Sequence, residues 1–485
     1  MKKFLYRQFK LKENGSNIRT EIVAGITTFF TMAYIIMVNP SILSSTGMTP
    51  SSVLMATCIV SAIGCFIMGF VANYPFGLAP GMGLNVLFAV TLCGGLGLSW
   101  QAGLAAVFIS GVIFILLTVT NARTAIVKAI PSGLKKAIGV GIGFFIAYVG
   151  LANGGVVHSG FGTPTELALF NSPMAIMTVV GILITVVLMV LKVRGAIFIG
   201  ILSTTAIAII TALIGGDAIA NSLGISFAFD WSFSLDGFGQ FVFGFGELFD
   251  FSQGVGVVLV SVLTIFLSIS LVDLFGSIGT MMGVTERAGV LQEDGSFPRA
   301  KKAFLSDGIA TFFSAIFGTS TVTTYVESTA GISQGGRTGL TAVVVGILFL
   351  LGIVLAPFVG LISYAATAPA LIIVGVLMVS SVKTIKWDDL EEAIPCFLTI
   401  LVMTLSYSIA DGIAFGFISH TVIQIAIGFK NLAIRGKKAS TGDAGVDVLS
   451  EDPSPEPIKK KAFNLSWVTL IVSLLFIARY IFIAI

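Results

Sequence analysis

Two acids lie where a lipid-like sequence has least room for them. Glu327 sits in GTSTVTTYVESTAGISQGG, residues 318–336, a run of small and hydroxylated residues between long apolar stretches. Asp273 sits in LTIFLSISLVDLFGSIGTMMG, residues 263–283. An ionisable group at membrane depth is by default a candidate functional group, because the bilayer makes it expensive to keep there. A carboxylate only accepts hydrogen bonds. Two acids with no Lys or Arg in the same spans would repel an anion, whereas a neutral ligand with several N–H donors could be held by them. Either acid could also take up and release a proton during a cycle, so proton coupling is expected. At helical spacing Asp273, Gly276 and Thr280 share one face, with Ser277 adjoining it. The plainer reading of Asp273 is a structural acceptor for a neighbouring helix. Asn39, in IIMVNPSIL, is either a ligand-facing amide or the cap of a helix that Pro40 ends or kinks.

The elements that must position these groups read as interrupted helices. Residues 73–85, NYPFGLAPGMGLN, carry prolines and glycines that prevent a regular helix. The Glu327 segment is the second interruption. Such backbone survives at membrane depth only when buried in protein or lining a cavity. Paired interrupted segments are the sequence sign of a transporter site, because each can end in a half-helix facing the cavity. Ordinary polar re-entrant turns are the alternative.

Composition fits a membrane chain: of 485 residues, 56% are hydrophobic and 11% charged, and mean hydropathy is +1.02. Soluble domains carry about 25% charged residues. A net charge of +3 excludes a strongly basic nucleic-acid binder. Lys and Arg gather at the N-terminus (Lys2 to Arg19), at Arg123 to Lys136, Lys192 with Arg194, Arg287 to Lys302, Lys383 with Lys386, and from Lys430 onward. By the positive-inside rule these are cytoplasmic. Residues 195–286 contain no Lys or Arg but carry Asp217, Asp230, Asp236, Glu247 and Asp250 in a long polar and aromatic loop, which fits an extracellular segment. No cleavable signal is evident. Counting crossings gives seven spans before this loop and seven after it.

Cys58, Cys65, Cys93 and Cys396 lie in apolar segments without metal-ligand spacing and read as small core residues. His158 and His420 have no motif partner, and His420 reads as packed or interfacial. No P-loop, HExxH or dinucleotide fingerprint occurs, so no cofactor is expected and an ion gradient should supply the energy. WDDLEE, residues 387–392, reads as a connector whose acids favour a helix N-terminus, and Asp307 after Ser306 reads as another N-terminal cap. Lys430 to Lys461 reads as a flexible polar stretch; the apolar run after it is either a further span or an interfacial helix.

Segments recur in order. GLAAVFISGVIFILLTV from Gly103 resembles GLTAVVVGILFLLGIV from Gly339, IPSGLKKAIGVGIGF from Ile130 parallels APALIIVGVLMV from Ala368, and GAIFIGILSTT from Gly195 parallels GIAFGFISHT from Gly412. An odd number of spans per copy makes the repeat an inverted one.

The chain resembles the nucleobase-cation symporter-2 family, in its AzgA-like hypoxanthine/guanine/adenine permease branch. The resemblance rests on EIVAGITTFFTMAYIIMVNPSIL, PFGLAPGMGLN, VDLFGSIGT, GTSTVTTYVESTAG, GGRTGLTAVVVGILFLL and IKWDDLEEAIP. It implies an all-α polytopic membrane protein with fourteen transmembrane segments as 7+7 inverted repeats. The third and tenth spans would be broken, with short strands. Residues 1–19 would be a cytoplasmic N-terminus, 20–120 and 254–357 the core domain, 121–216 and 358–430 the gate domain, 217–253 an extracellular loop, and 431–485 a cytoplasmic segment with an apolar helix. The implied activity is import of guanine, hypoxanthine or adenine by cation symport, H⁺ or Na⁺, through an elevator or rocking cycle in the plasma membrane. The implied site comprises Asp273, Glu327, Asn39, Leu78, Ala79, Gly81, Gly276, Ser328 and Thr329, with Glu327 and Asp273 handling the proton. Partners would be the purine, the cation, the lipid bilayer and a second copy of the chain; enzyme chemistry, metal and nucleic acid are not expected. One departure stands out: where the family reads VDLFDTxGT, this chain has VDLFGSIGT, with Gly276 in place of a second acid. The alternative reading is a transporter of another small solute, such as an inorganic anion, on the same 7+7 fold.

Overall fold

The computed structural model describes residues 2–120, 130–160, 165–168, 172–227, 231, 233–250, 252, 255–290, 297–440 and 466–484. Arg123, Asp230 and the polar stretch 441–465 lie outside the described residues. The chain is mostly helical. Its elements run α1 (Lys2–Gln8), α2 (Ile18–Met32), α3 (Ile35–Leu43), α4 (Pro50–Ile67), β1 (Leu78–Pro80), α5 (Met82–Val86), α6 (Trp100–Val119) and α7 (Ser132–Asn153). There follow β2 (Val157–His158), β3 (Glu166–Leu167), α8 (Pro173–Val190), α9 (Ala196–Gly215), α10 (Asp217–Ser222), α11 (Phe241–Leu248), α12 (Val255–Arg287) and α13 (Ala300–Phe317). The last are β4 (Val322–Thr324), α14 (Ser328–Ser333), α15 (Gly339–Gly352), α16 (Tyr364–Val379), α17 (Leu390–Leu405), α18 (Ile409–Ser440) and α19 (Trp467–Ala484).

Helix starts follow local chemistry. The Asn17 side chain accepts from the Thr20 N–H at 3.0 Å and caps α2. Ser99, Thr338, Ser363 and Asp389 cap α6, α15, α16 and α17 in the same way. Asp389, in the WDDLEE connector, therefore does act at a helix N-terminus. Pro50 and Pro173 stand at first helical positions, where a missing N–H is harmless.

Among the described residues nine helices are long and apolar enough to cross a bilayer. Large apolar side chains on them stay exposed, among them Leu213 at 68% and Val190 at 74%. That outer surface suits lipid rather than water, and it is what the composition anticipates. Inside, helices approach closely through small residues. A Cβ on Gly339 would lie 2.0 Å from the Gly69 carbonyl oxygen, and one on Gly375 would lie 2.4 Å from that of Gly143. These contacts join α15 to the end of the 50–72 span and α16 to α7.

β1 and β4 form an antiparallel two-stranded sheet, Leu78 opposite Thr324, Ala79 opposite Thr323 and Pro80 opposite Val322. Both interrupted segments thus contain the short strands expected of them. α19 packs on α18 and α12. Asp411 meets Arg479, and Thr421 meets Ser473 at 2.7 Å, so α18 and α19 run antiparallel.

Candidate functional site

The site is built where the two interrupted segments cross. The Gly77 N–H donates to Ser328 Oγ at 2.9 Å, the Tyr325 N–H to the Gly77 carbonyl at 2.9 Å, and the Gly81 N–H to the Thr321 carbonyl at 3.0 Å. These bonds extend the three-residue pairing at both ends, and they satisfy backbone groups that no helix serves. The Ser328 hydroxyl donates in turn to the Tyr325 carbonyl at 2.7 Å. Leu78 and Ala79 are fully buried. Cys65 is more than core filler: its Sγ accepts from the Leu78 N–H at 3.2 Å and so helps pin β1. At Gly81 a Cβ would lie 2.8 Å from Thr323 Oγ1, so glycine allows the two backbones to close.

Glu327 follows β4 and immediately precedes α14. Its Oε1 accepts from the Tyr34 hydroxyl at 2.6 Å. Tyr34 stands at the break between α2 and α3, and its ring lies 6.4 Å from that of Tyr325, whose hydroxyl donates to the Pro80 carbonyl at 2.5 Å. Two tyrosines thus tie α3, β1 and the Glu327 segment together. Glu327 makes no ion pair among the described residues.

A second set of acids braces β4 from behind. Asp273 on α12 is fully buried. Ser277, one turn further along, donates to Asp307 Oδ2 at 2.5 Å and also lies 3.3 Å from Asp273 Oδ1. A hydroxyl has one proton, and the shorter distance assigns it to Asp307. Asp307 Oδ1 accepts from the Thr324 N–H at 3.0 Å. This corrects the expectation that Asp307 caps a helix. α13 begins seven residues earlier, after Arg299 in left-handed conformation (φ 58), and Asp307 is a buried interior residue bridging α12 to β4.

Asn39 also departs from its capping alternative. It lies inside α3, which continues through Pro40, and its Nδ2 donates to Thr57 Oγ1 at 2.7 Å and Thr319 Oγ1 at 2.8 Å. Asn85 accepts from Ser320. The break in the first span falls at Ala33 and Tyr34 instead. Gly276 is exposed, and a Cβ there would meet nothing within 4 Å. It is therefore set apart from buried Asp273, although Thr280 Oγ1 donates back to its carbonyl at 2.8 Å. Thr329 is half-buried on α14.

The crossing thus gathers Glu327, Leu78, Ala79, Gly81, Ser328 and Thr329 directly, with Asn39 joined through Thr319 and Asp273 through Ser277 and Asp307. Sequence reasoning missed Tyr34, Asp307 and Asn85 as members. Asn85 ends the interrupted segment 73–85 and was the most findable; Tyr34 is one polar ring in an apolar run. Chemically, a carboxylate supported by a neutral phenol keeps acceptor capacity for a ligand's N–H groups or for a proton.

Comparison with known proteins agrees with this architecture. The model of the Permease family matches residues 19–415. The chain is 41% identical to the adenine permease AdeP of Escherichia coli over 428 residues, 87% of this chain and 91% of that protein. It is 43% identical to the guanine/hypoxanthine permease PbuO of Bacillus subtilis over 434 residues, 87% of this chain and 94% of that one. In structure it is similar to the transmembrane domain of the cyanobacterial bicarbonate transporter BicA, with TM-score 0.60 and 16% identity, covering 81% of this chain and 96% of that domain; such a likeness speaks to fold alone. By family, by relatives and by its apolar helices, this chain belongs to the Permease family of nucleobase-cation symporter-2 proteins and is a multi-pass membrane transporter, not an enzyme.

Proposed function

We propose that the chain imports purine nucleobases by cation symport, with the base held at the crossing of β1 and β4. The observation that carries the reading is Glu327: a carboxylate at the junction of the two interrupted segments, supported by one phenol and making no ion pair among the described residues. A purine presents N–H donors and a flat apolar face. Glu327 meets the donors, and the buried strand edge at Leu78, Ala79 and Gly81 takes the face. Ser328 and Thr329 line the start of α14 beside it. Asp273 and Asn39 position the crossing from α12 and α3, and Gly276 leaves space that a second acid would fill. Relatives named as adenine and guanine/hypoxanthine permeases support this substrate class.

The coupling ion is H⁺, carried by Glu327 with Asp273. In this reading the chain forms fourteen spans as two inverted copies, with its N-terminus cytoplasmic in the plasma membrane. The core domain, residues 20–120 and 254–357, which carries β1 and β4, moves past the remaining helices in an elevator-type cycle. An anion is disfavoured as substrate because Glu327 and Asp307 both adjoin β4 and, among the described residues, no cation pairs with Glu327.

The test is uptake of labelled guanine, hypoxanthine and adenine into vesicles holding the purified chain, each with an uncoupler and with sulfate or bicarbonate as competitor. Concentrative purine uptake that an uncoupler abolishes, and that the anions leave alone, is expected. Anion uptake without purine uptake would overturn the reading.

A further inference from the structure

The N-terminal residues, which the transport reading leaves unused, form a basic structure fixed at the membrane boundary. Phe9 and Leu11 are buried against Leu340, at the start of α15. The Asn73 side chain donates to the Phe9 carbonyl at 3.1 Å, and the Phe9 ring lies 5.5 Å from that of Phe70. Phe70 and Val71 are exposed at the end of the 50–72 span, so they mark where the lipid-facing surface stops. α1 is therefore held beside two span ends, at headgroup level.

Its outer face is amphipathic. Phe4 is 62% exposed, and Lys3 and Arg7 flank it on the same side of the helix. A cavity of about 570 Å³ opens next to them, lined by Lys3, Tyr6, Arg7, Lys10, Lys12 and Glu13. Glu13 neutralises Lys10 at 3.2 Å. Lys3, Arg7 and Lys12 have no ion pair among the described residues.

We propose that this cavity binds the phosphate-bearing headgroups of anionic lipids in the leaflet on the N-terminal side, with Phe4 inserted among the acyl chains. Charge and position select this occupant. Three cations without an ion pair among the described residues line a concave opening, and an exposed aromatic ring beside them is what an interfacial helix presents to a bilayer. The site lies apart from the β1–β4 crossing and tunes how firmly α1 stays docked on α15.

The test uses the purified full chain in nanodiscs of phosphatidylcholine alone or mixed with phosphatidylglycerol, read by hydrogen exchange of residues 3–12. With phosphatidylglycerol, amide exchange there should slow by about tenfold or more, since each basic residue near an anionic surface adds roughly a fivefold preference. The triple variant Lys3→Gln, Arg7→Gln, Lys12→Gln should lose that difference. Its side chains are exposed and the docking residues Phe9 and Leu11 are kept, so it should fold, and its purine uptake in phosphatidylcholine vesicles reports on that. Equal exchange in the two bilayers overturns the proposal, as does a lipid difference that persists in the triple variant. Protection by inorganic phosphate added to phosphatidylcholine nanodiscs, matching that from phosphatidylglycerol, would make this a soluble-anion site and overturn the lipid assignment.

Discussion

Glu327 and Asp411 are both acids within apolar helical surroundings, yet the protein treats them in opposite ways. Asp411, in the first turn of α18, receives Arg479 Nη1 at 2.7 Å and the Tyr480 hydroxyl at 2.8 Å, both from α19. Its charge is met by a full opposite charge, and the same helix pair is locked by Ser473 donating to the Phe417 carbonyl at 3.0 Å. Among the described residues Glu327 receives one phenol and no cation. A carboxylate neutralised by guanidinium has little left to offer a ligand, and breaking such a pair leaves an uncompensated charge. A carboxylate held by a neutral donor is positioned without being used up. The contrast separates an acid that fastens two helices from one poised for transport.

Four single substitutions, and one double, probe that contrast. Glu327→Gln should have the largest effect. The amide cannot exchange a proton or offer two charged oxygens, and a hydrogen bond to a charged group contributes about 1.5 to 3 kcal/mol, or roughly 10- to 150-fold in affinity. Purine uptake should fall by at least that range while the protein still inserts and resists heating like the wild type; wild-type uptake would remove Glu327 from the site. Arg479→Ala should act on stability instead. Breaking a fully buried pair costs about 3 to 5 kcal/mol, and the quarter of the Asp411 side chain still exposed reduces this to roughly 2 kcal/mol. A thermal-unfolding scan should show the loss, and Arg479→Ala combined with Asp411→Asn should recover part of it. Uptake per folded molecule should be unchanged, and a drop in it would make Asp411 part of transport.

Tyr34→Phe keeps the ring and removes the one hydroxyl on Glu327, so apparent purine affinity should change by about fivefold, near 1 kcal/mol. No change would mean that Tyr34 does not position the acid. The smallest effect is expected from Gly276→Asp. Nothing lies within 4 Å of a Cβ there, so the side chain fits without strain. If position 276 faces the base, guanine, with its extra exocyclic donor, should gain on hypoxanthine in a competition assay. An unaltered ranking of bases would place Gly276 away from the substrate.

How much of this was legible beforehand depended on how local each cause is. The interruption at 73–85 could be read because Pro and Gly act on their own backbone, and the Glu327 segment because Ser, Thr and Gly crowd a single stretch. Asp307 was misread for the same locality: Ser306–Asp307 has the look of a cap, but a cap exists only where a helix begins, and the left-handed turn at Arg299 moved that beginning upstream. Asn39 was ambiguous beside Pro40 until Thr57 and Thr319 supplied partners from other elements.

The sequence by itself determined that this is a membrane transporter with two interrupted segments and two conspicuous acids, because hydropathy, helix breaking and charge placement are properties of short windows. Only the tertiary structure decided which partners those acids have. Tyr34 and Glu327 are 293 residues apart, and Ser277 reaches Asp307 across 30. It also decided that α19 docks through a buried Arg479. Hydrogen bonds and ion pairs act over about 3 Å, and no window of sequence states which distant groups the packing of helices will bring within that reach.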